Sequence, residues 1–325
     1  MSRHVAHPLS GSHCSEWPTA PTAPADCYRP EVLCVRRSFE VAELGARIDS
    51  HLLTGPHHRV LAGGVTGDVV FDARLLPPEP PASRTYLYLL LEGALYLPRA
   101  RHPLARDAMV LAPSRDALFR TLGAHHRGPF RIVALQVASE VLPAPLRLGV
   151  LPLGARLREA AEAFHSALAE GGAGSEAHQA LLHSLAAAGI PIASDRLLAR
   201  TSPVTGRIDE LAAALSSTLS RAGTRPALVD LAAGSTLSER TARRLLPRAA
   251  AEYGFTYRGW RPLRRAFSTT VACILLTVPA ATPGFVSRRT GFASAISLCH
   301  ALRHAGLPAP RALQQLAGRI RRGEF

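Results

Sequence analysis

The chain has 325 residues, of which 47% are hydrophobic, so it is long enough for about two domains with buried cores. It has no stretch of about 18 apolar residues and no charged-then-apolar leader, so we expect a cytoplasmic protein without a membrane span. Its five cysteines include no Cys-x-x-Cys pair, which excludes a zinc finger and a disulfide framework from our expectations.

Positive charge is concentrated toward the carboxyl terminus. The formal net charge is +14, and all 38 basic residues are arginine. Residues 201–325 carry 18 arginines and 6 acidic residues, which accounts for most of the excess. A basic domain joined to a less charged one is typical of nucleic-acid-binding proteins, although a generally basic proteome is the alternative.

Residues 1–36 are rich in proline, serine, threonine and alanine and show no hydrophobic periodicity, so they predict a disordered tail. Residues 37–150 instead hold short apolar runs separated by turn residues, which predicts a β-barrel or a double-sheet jelly roll. The runs are Val69–Phe71, Tyr86–Leu91, Ala94–Leu97, Ala108–Leu111, Ala117–Thr121 and Phe130–Val137.

A barrel of this kind could hold a small molecule. Alternating strand residues such as Tyr86, Tyr88, Leu95 and Leu97 would contribute to its walls, but the sequence does not decide which face points inward. Residues 151–202 then predict a helical linker. Its two helices could pack on the barrel or form a dimer seam, and amphipathicity does not distinguish these alternatives.

Residues 203–325 predict an all-helical domain in which one motif occurs twice. A short helix, a turn and a second helix occupy Ala227–Leu246 and again Phe285–His304, with a long central helix over Trp260–Leu276 between them. Ser238 stands at a helix N-cap, and arginines follow it on the polar face of the second helix. This pattern is typical of a helix-turn-helix, whose second helix lies in the DNA major groove. We expect recognition helices at about 238–247 and 293–304.

The carboxyl-terminal half resembles the AraC/XylS family of bacterial transcription regulators over Ile208 to Leu313. The first motif is carried by Leu231-Ala232, Leu237-Ser238, Leu245-Leu246 and Gly254. The second is carried by Gly291-Phe292, Ser294 and Leu298, and a closing Gly-x-Pro segment spans residues 306–310. Pro247, Ser287 and Leu298 depart from the family pattern, and proline should end or kink the first recognition helix early.

The amino-terminal half resembles the sensory cupin domain of the same family. The similarity lies in Leu91-Glu92-Gly93, in residues 101–104 and in residues 107–113. Together the resemblances imply an α+β protein with domains at 37–150 (a cupin-like barrel for sensing or dimerisation), 151–202 (the linker) and 203–325 (two helix-turn-helix motifs). They imply regulation of transcription through promoter DNA, without a cofactor. A homodimer and a contact with RNA polymerase are further possibilities.

Arginine is the side chain best suited to read guanine, because it donates two hydrogen bonds to O6 and N7. The resemblance places Arg240 and Arg243 toward the major groove of DNA, while Arg244 could bind a phosphate of the DNA backbone. The second recognition helix offers fewer strong donors, so we expect the first motif to read most of the sequence and the second mainly to position the protein. The candidate DNA-binding residues are Ser238, Arg240, Thr241, Arg243, Arg244, Arg261, Arg264, Arg288, Ser294, Ser297, His300 and Arg303.

Two other functions stay open. A metal-dependent cupin enzyme would need several histidines and a carboxylate around one ion, but His57-His58, His102 and His125-His126 lack the usual spacing. Adjacent histidines on a strand point to opposite faces. We therefore expect no enzyme and no metal. The second alternative is a degenerate regulator that acts through protein interaction, suggested by Pro247 and the irregular second motif.

Overall fold

The computed structural model describes residues 33–55, 57–77, 84–97, 103–104, 107–115, 117–121, 123–138, 142, 149–169, 174–190 and 206–324. Its amino-terminal part is rich in β-sheet and its carboxyl-terminal part is helical. The predicted tail lies outside the described residues except for its last few positions, where the first strand begins. The strands are β1 (Leu33–Val41), β2 (Ala46–Thr54), β3 (His58–Thr66), β4 (Val70–Asp72), β5 (Arg84–Glu92), β6 (Leu95–Tyr96), β7 (Ala108–Ala112), β8 (His125–Arg127), β9 (Phe130–Ala138) and β10 (Gly149–Pro152).

The strands form two antiparallel sheets. The larger has the order β1-β2-β3-β9-β5-β7-β10, and the smaller has the order β4-β8-β6. In the described part of the chain, strands β1 and β10 lie at the two edges of the larger sheet, so these pairings do not show a closed barrel. The expectation of β-structure in the amino-terminal half is thus confirmed in a coarser form, as a sheet-rich region.

Both faces of the larger sheet are covered. On one face Tyr86, Tyr88 and Leu90 join a core that also contains the smaller sheet. On the other face Leu87 and Leu89 pack with two helices, α1 (Ala155–Ala169) and α2 (Gly174–Ala187). Because successive side chains of a strand point to opposite faces, β5 needs apolar residues at nearly every position. The helical pair, whose role the sequence left open, therefore packs on the sheet.

The carboxyl-terminal region is a succession of helices. They are α3 (Gly206–Ser220), α4 (Leu228–Ala233), α5 (Glu239–Glu252), α6 (Trp260–Leu276), α7 (Pro283–Arg289), α8 (Ala295–His304) and α9 (Pro310–Arg322). The stripe of Ile208, Leu211, Leu215 and Leu219 on α3 is buried in one core with α4 and α5. In the part of the chain that the structure describes, no helix combines the length and apolarity needed to span a membrane.

Two local expectations are wrong. Helix α5 does not end at Pro247 but continues to Glu252, because Ala249 and Ala250 beyond the proline are fully buried and hold the last turns in the core. Residues Ala117–Thr121 form a π-helical turn instead of a strand. Ser114 starts this turn, since its Oγ accepts a hydrogen bond from the amide of Ala117 at 3.0 Å.

Candidate nucleic-acid interface

Helix α5 begins as its sequence predicts. Ser238 is the N-cap, and its Oγ accepts a hydrogen bond from the amide of Thr241 at 3.2 Å. The hydroxyl of Thr241 also lies 3.0 Å from Ser238 Oγ. Both residues therefore take part in hydrogen bonds that cap the amino terminus of α5. The cap sets where the helix begins and thus which way the arginines that follow point.

The arginines of α5 lie on its solvent face. Arg240, Arg243 and Arg244 are exposed, whereas Ala242 and Leu246 are buried on the opposite side. Nη2 of Arg243 donates to Oε1 of Glu239 at 2.5 Å across one helical turn. The pair is exposed, so it contributes well under 1 kcal/mol and leaves the guanidinium accessible. Helix α5 thus exposes three arginines on one face while its opposite face is packed in the core.

The turn before α5 is held by helix α3. The amide of Thr236 donates a hydrogen bond to Oε1 of Glu210. Hydrogen bonds from the side chain of Thr236 and then from its amide lower the pKa of that carboxyl. The hydroxyl of Ser235 donates to the carbonyl of Ala232 at 3.0 Å. Sequence reasoning missed Glu210, because its partner is distant along the chain.

Helix α8 has the same kind of start and a different surface. Ser294 accepts from the amide of Ser297 at 3.2 Å, and Ser297 Oγ accepts from the amide of Ser294 at 3.0 Å. This reciprocal cap occupies both serines. The exposed side chains are Ile296, at 70%, together with His300, Arg303 and His304. The helix packs normally despite its departures from the family pattern, because Leu298 and Leu302 are fully buried.

Helix α6 separates two grooves that open on the helical region. The first groove lies between α5 and the start of α6, and the second lies between α6 and α8. Arginines line both, and Glu239 is the acidic residue found in the first. No acidic residue lines the second groove in the described part of the chain. The charged lining residues are Arg225, Arg243, Arg258, Arg261, Arg264 and Glu239 in the first groove, and Arg225, Arg261, Arg264 and Arg265 in the second.

Trp260 anchors the start of α6. It is 6% exposed, and its Nε1 donates to the carbonyl of Pro226 at 3.1 Å. The same carbonyl lies 3.4 Å from Nη1 of Arg264. This contact joins α6 to the segment before α4 and places Arg225 beside Arg261 and Arg264. No sequence pattern pointed to Arg225, since it lies in a loop.

Some of the basic residues face the sheet-rich region. Arg288 is exposed, but its neighbour Arg289 pairs with Glu43 at 2.6 Å. Arg321 reaches Asp68 at 2.7 Å and also donates to the carbonyl of Thr277. Arg321, near the end of α9, is therefore held against the sheet-rich region at Asp68.

Further contacts join the two regions. The hydroxyl of Thr54 donates to the carbonyl of Tyr253 at 2.7 Å, and Arg59 donates to the carbonyl of Gly254. The amide of Val70 donates to Oγ1 of Thr277 at 3.1 Å. Tyr253 precedes α6 along the chain and Thr277 follows its last residue. The sheet-rich region therefore contacts the helical region both before the start and after the end of α6.

A cavity of about 260 Å³ lies between the regions. Its walls combine aromatic and aliphatic side chains of both, with Asp49, Arg59, Arg115 and Gln136 as polar lining. The apolar lining residues include Ile48, Leu61, Tyr86 and Ile132 from the sheets and Phe255, Leu263, Phe267, Val271 and Ile274 from the helical region. One side of α6 therefore forms a wall of the cavity while another side carries the arginines of the grooves.

The interior between the sheets is filled near the predicted pocket. Tyr88 is fully buried, and its hydroxyl hydrogen-bonds to Nε2 of His126. Burial lowers the pKa of His126 to about 3, so this imidazole is neutral. The predicted wall residues Tyr86, Tyr88 and Leu95 do point into this core, and Leu97 packs against it.

The histidines do not converge on one point. His126 lies in the core, while His125 stacks on Tyr96 with ring centroids 5.3 Å apart. His58 stacks on His178, on the side of the sheet where α2 packs. Among the described residues, no three histidine, cysteine or acidic side chains come together in a way that could hold a metal ion. His102 lies outside the described residues.

Comparisons with known proteins give only distant likenesses. No protein-family model and no curated protein matches the chain. ToxT from Vibrio cholerae O395 is 9% identical with a TM-score of 0.32, over 88% of this chain and 98% of that one. The AraC-like transcriptional activator CuxR is 12% identical with a TM-score of 0.27, over 89% of this chain and 88% of that one. With values this low, the likeness assigns neither a fold nor a function.

Proposed function

We propose that the protein is a transcription regulator of the AraC type that binds promoter DNA through α5 and α8 as its two recognition helices. The observation that carries the proposal is the pair of arginine-lined grooves on either side of α6, next to the exposed arginines of α5. Such a surface would attract the phosphate backbone, and α5 would supply bidentate donors for guanine.

The residues divide into two roles under this proposal. Arg240 and Arg243 read base edges from α5, and Arg244 contacts phosphate. On α8, Ile296 meets a thymine methyl group, while His300 and Arg303 hold the backbone. Ser238, Thr241, Ser294 and Ser297 act mainly by fixing the two helix starts, because their hydroxyls already serve the caps. The first helix would therefore carry most of the sequence specificity.

The first experiment measures binding of the full chain to fragments of its own upstream region and to a scrambled fragment, across a salt series. We expect selective binding to one upstream fragment, with affinity that falls steeply as salt rises. Arg240→Ala should weaken binding to that fragment by about 1–3 kcal/mol. Arg311→Ala is the matched control, because Arg311 is exposed on α9 and lines neither groove. Equal binding to both fragments would refute sequence-specific regulation and indicate attraction by charge alone.

We also propose that an apolar small molecule acts as effector in the cavity between the regions. A ligand there would contact both regions at once, so it would bind only the arrangement that closes the cavity. An apolar fluorescent dye serves as a first probe. Leu61→Trp, which fills the cavity from the sheet side, should abolish dye binding, whereas Leu53→Met on the opposite face of the sheet should retain it. Equal dye binding by the two variants would place the apolar site elsewhere.

The two alternatives keep distinct tests. A metal-dependent enzyme would purify with stoichiometric metal. A degenerate regulator would show no DNA affinity even at low salt, although the packed state of α8 gives no support to decay of the second motif. Dimerisation and contact with RNA polymerase stay predictions.

A further inference from the structure

The start of α6 departs from the usual electrostatics of a helix. Its N-cap is Gly259, which offers no side chain to the free amides, and its first turn contains no acidic residue. Arginines stand at positions 258, 261, 264 and 265 instead. The amino terminus of a helix carries partial positive charge, so this placement of cations costs free energy. Helix α5 shows the ordinary arrangement, with Ser238 as cap and Glu239 in its first turn.

Arg225 brings a further cation to the same place. It lies in the loop before α4, and together with Arg261 and Arg264 it lines both grooves, so the three residues form the ridge where the grooves meet. Burial, followed by the charges of Arg225 and Arg261, lowers the pKa of Arg264. Within the described residues, none of the three forms an ion pair with a carboxylate. The repulsion among them is therefore not relieved by an acidic partner in that part of the chain.

The backbone at Arg225 is also unusual. Its φ is 62°, in the left-handed region that favours glycine, and a proline follows it. Such a conformation costs of the order of 1–3 kcal/mol and persists where the surrounding structure holds it. The contacts of Trp260 and Arg264 with the carbonyl of Pro226 supply that support. The loop thus holds Arg225 in a strained conformation next to the positively charged Arg261 and Arg264.

We propose that Arg225, Arg261 and Arg264 together bind one phosphate of the DNA backbone at the ridge between the grooves, beside the amino terminus of α6. The proposal rests on the proposed function and adds to it a shared phosphate site, here called the ridge site, on the strand that passes between the two recognition helices. A phosphodiester would neutralise the cluster and accept hydrogen bonds from guanidinium groups and from amides of the first turn. The ridge site carries no sequence information and sets the register of both helices on the DNA.

The first test measures the salt dependence of DNA binding by the full chain. Arg225→Gln and Arg264→Gln should each lower the slope of log affinity against log salt by about one, equally on the upstream and scrambled fragments. The wild type would then lose about 3.5-fold more affinity than either variant between 50 and 200 mM salt. Because both arginines contact one phosphate, the double variant should lose about as much slope as each single variant.

The matched control is Arg221→Gln, which removes a charge at an exposed position before the same loop that lines neither groove. It should leave the slope unchanged. Slopes of the Arg225 and Arg264 variants that equal the wild-type slope, while the wild type binds DNA, would overturn the ridge site without affecting the proposed function.

A second test needs no DNA. At constant ionic strength, inorganic phosphate should raise the midpoint of thermal unfolding of the wild type more than that of Arg264→Gln. If the wild type failed to bind DNA, the proposed function would fail, and this measurement would still report on the anion site. A phosphate effect that depends on Arg264 without any change of DNA slope would assign the site to a free phosphate and overturn its role on DNA. Equal stabilisation of both proteins would exclude an anion site.

Discussion

Nη2 of Arg289 lies 2.6 Å from Oε1 of Glu43, so one of two neighbouring arginines at the end of α7 is paired with the sheet-rich region. The guanidinium of Arg289 also lies over the ring of Phe285, 5.4 Å from its centroid. Arg288, one position earlier, is exposed. Adjacent residues of the same type thus have different surroundings.

This difference predicts different effects on DNA binding. Arg288→Gln should lower the salt slope of DNA binding by about one, because an exposed arginine can release one counterion from the backbone. Arg289→Gln should leave the slope unchanged and lower the free energy of unfolding by less than about 1 kcal/mol, as expected for a partly exposed ion pair. Fluorescence anisotropy across a salt series and urea unfolding measure the two quantities. A larger slope change for Arg289 than for Arg288 would contradict the assignment.

The second prediction follows from the proposed function and concerns which of the two helices, α5 or α8, reads the DNA sequence. Alanine at Arg240 and Arg243 should relax discrimination between the upstream fragment and single-base variants of it by about 1–3 kcal/mol per contact. Alanine at Ser297 and His300 should weaken binding to all fragments alike, because these side chains lie at the start and on the surface of α8 with few donors for bases. Competition binding with a panel of variant fragments measures both. Greater loss of discrimination at Ser297 and His300 would reverse the roles of the helices.

The third prediction concerns the proline inside α5. Pro247 is exposed and has no amide hydrogen to donate to the carbonyl of Arg243. Pro247→Ala should therefore raise the free energy of unfolding by about 1–3 kcal/mol, measured by urea denaturation. The control is Pro283→Ala in the first turn of α7, where the missing amide hydrogen costs nothing, so stability should change by less than about 0.5 kcal/mol. No gain from Pro247→Ala would mean that the helix is already adapted to the proline.

The fourth prediction is a dependence of stability on pH through His178. Its ring is buried between His58 and Phe164, and burial lowers its pKa from 6.5 to about 4. The unfolded chain thus binds this proton more readily than the folded chain. The stabilising contribution is complete above pH 6.5 and is lost as pH falls from 6.5 toward 4, at about 1.4 kcal/mol per pH unit.

The variant His178→Phe removes this titrating group and keeps an aromatic ring. Between pH 7 and pH 5 the wild type should lose about 2 kcal/mol more stability than the variant, measured by urea denaturation at each pH. His300→Asn, at an exposed position, should follow the wild type. If the free energy of unfolding depended on pH in the same way for the wild type and for His178→Phe, the pKa of His178 would not be lowered by folding.

The helical region could be predicted well because its signals are local. Helix α6 has the predicted bounds, and the predicted N-cap at Ser238 is confirmed. Strands β1, β2 and β3 were not predicted individually, because polar residues and Gly63-Gly64 interrupt their pattern. The two glycines lie within β3, where a side chain on Gly63 would approach the carbonyl oxygen of Asp49 to 3.1 Å.

The candidate site was predictable only in part, because only some of its features depend on residues that are close together in the sequence. Exposure of Arg240 and Arg244 follows from helical spacing alone. The pairing of Arg289 with Glu43 joins residues 246 positions apart, and that of Arg321 with Asp68 joins residues 253 positions apart. No local pattern encodes such contacts. The same holds for Arg225, whose position depends on Trp260 and Pro226 meeting across the fold.

Helix α6 runs without interruption for 17 residues, about 26 Å, and its proline lies in the first turn where no intrahelical hydrogen bond is lost. A rod of fixed length between α5 and α8 would make the protein sensitive to the helical phase of its target. Five inserted base pairs would turn one half of a binding site to the opposite side of the duplex, and ten would restore the facing but exceed the reach of the rod. The spacing inside the target would then be as strictly fixed as its bases.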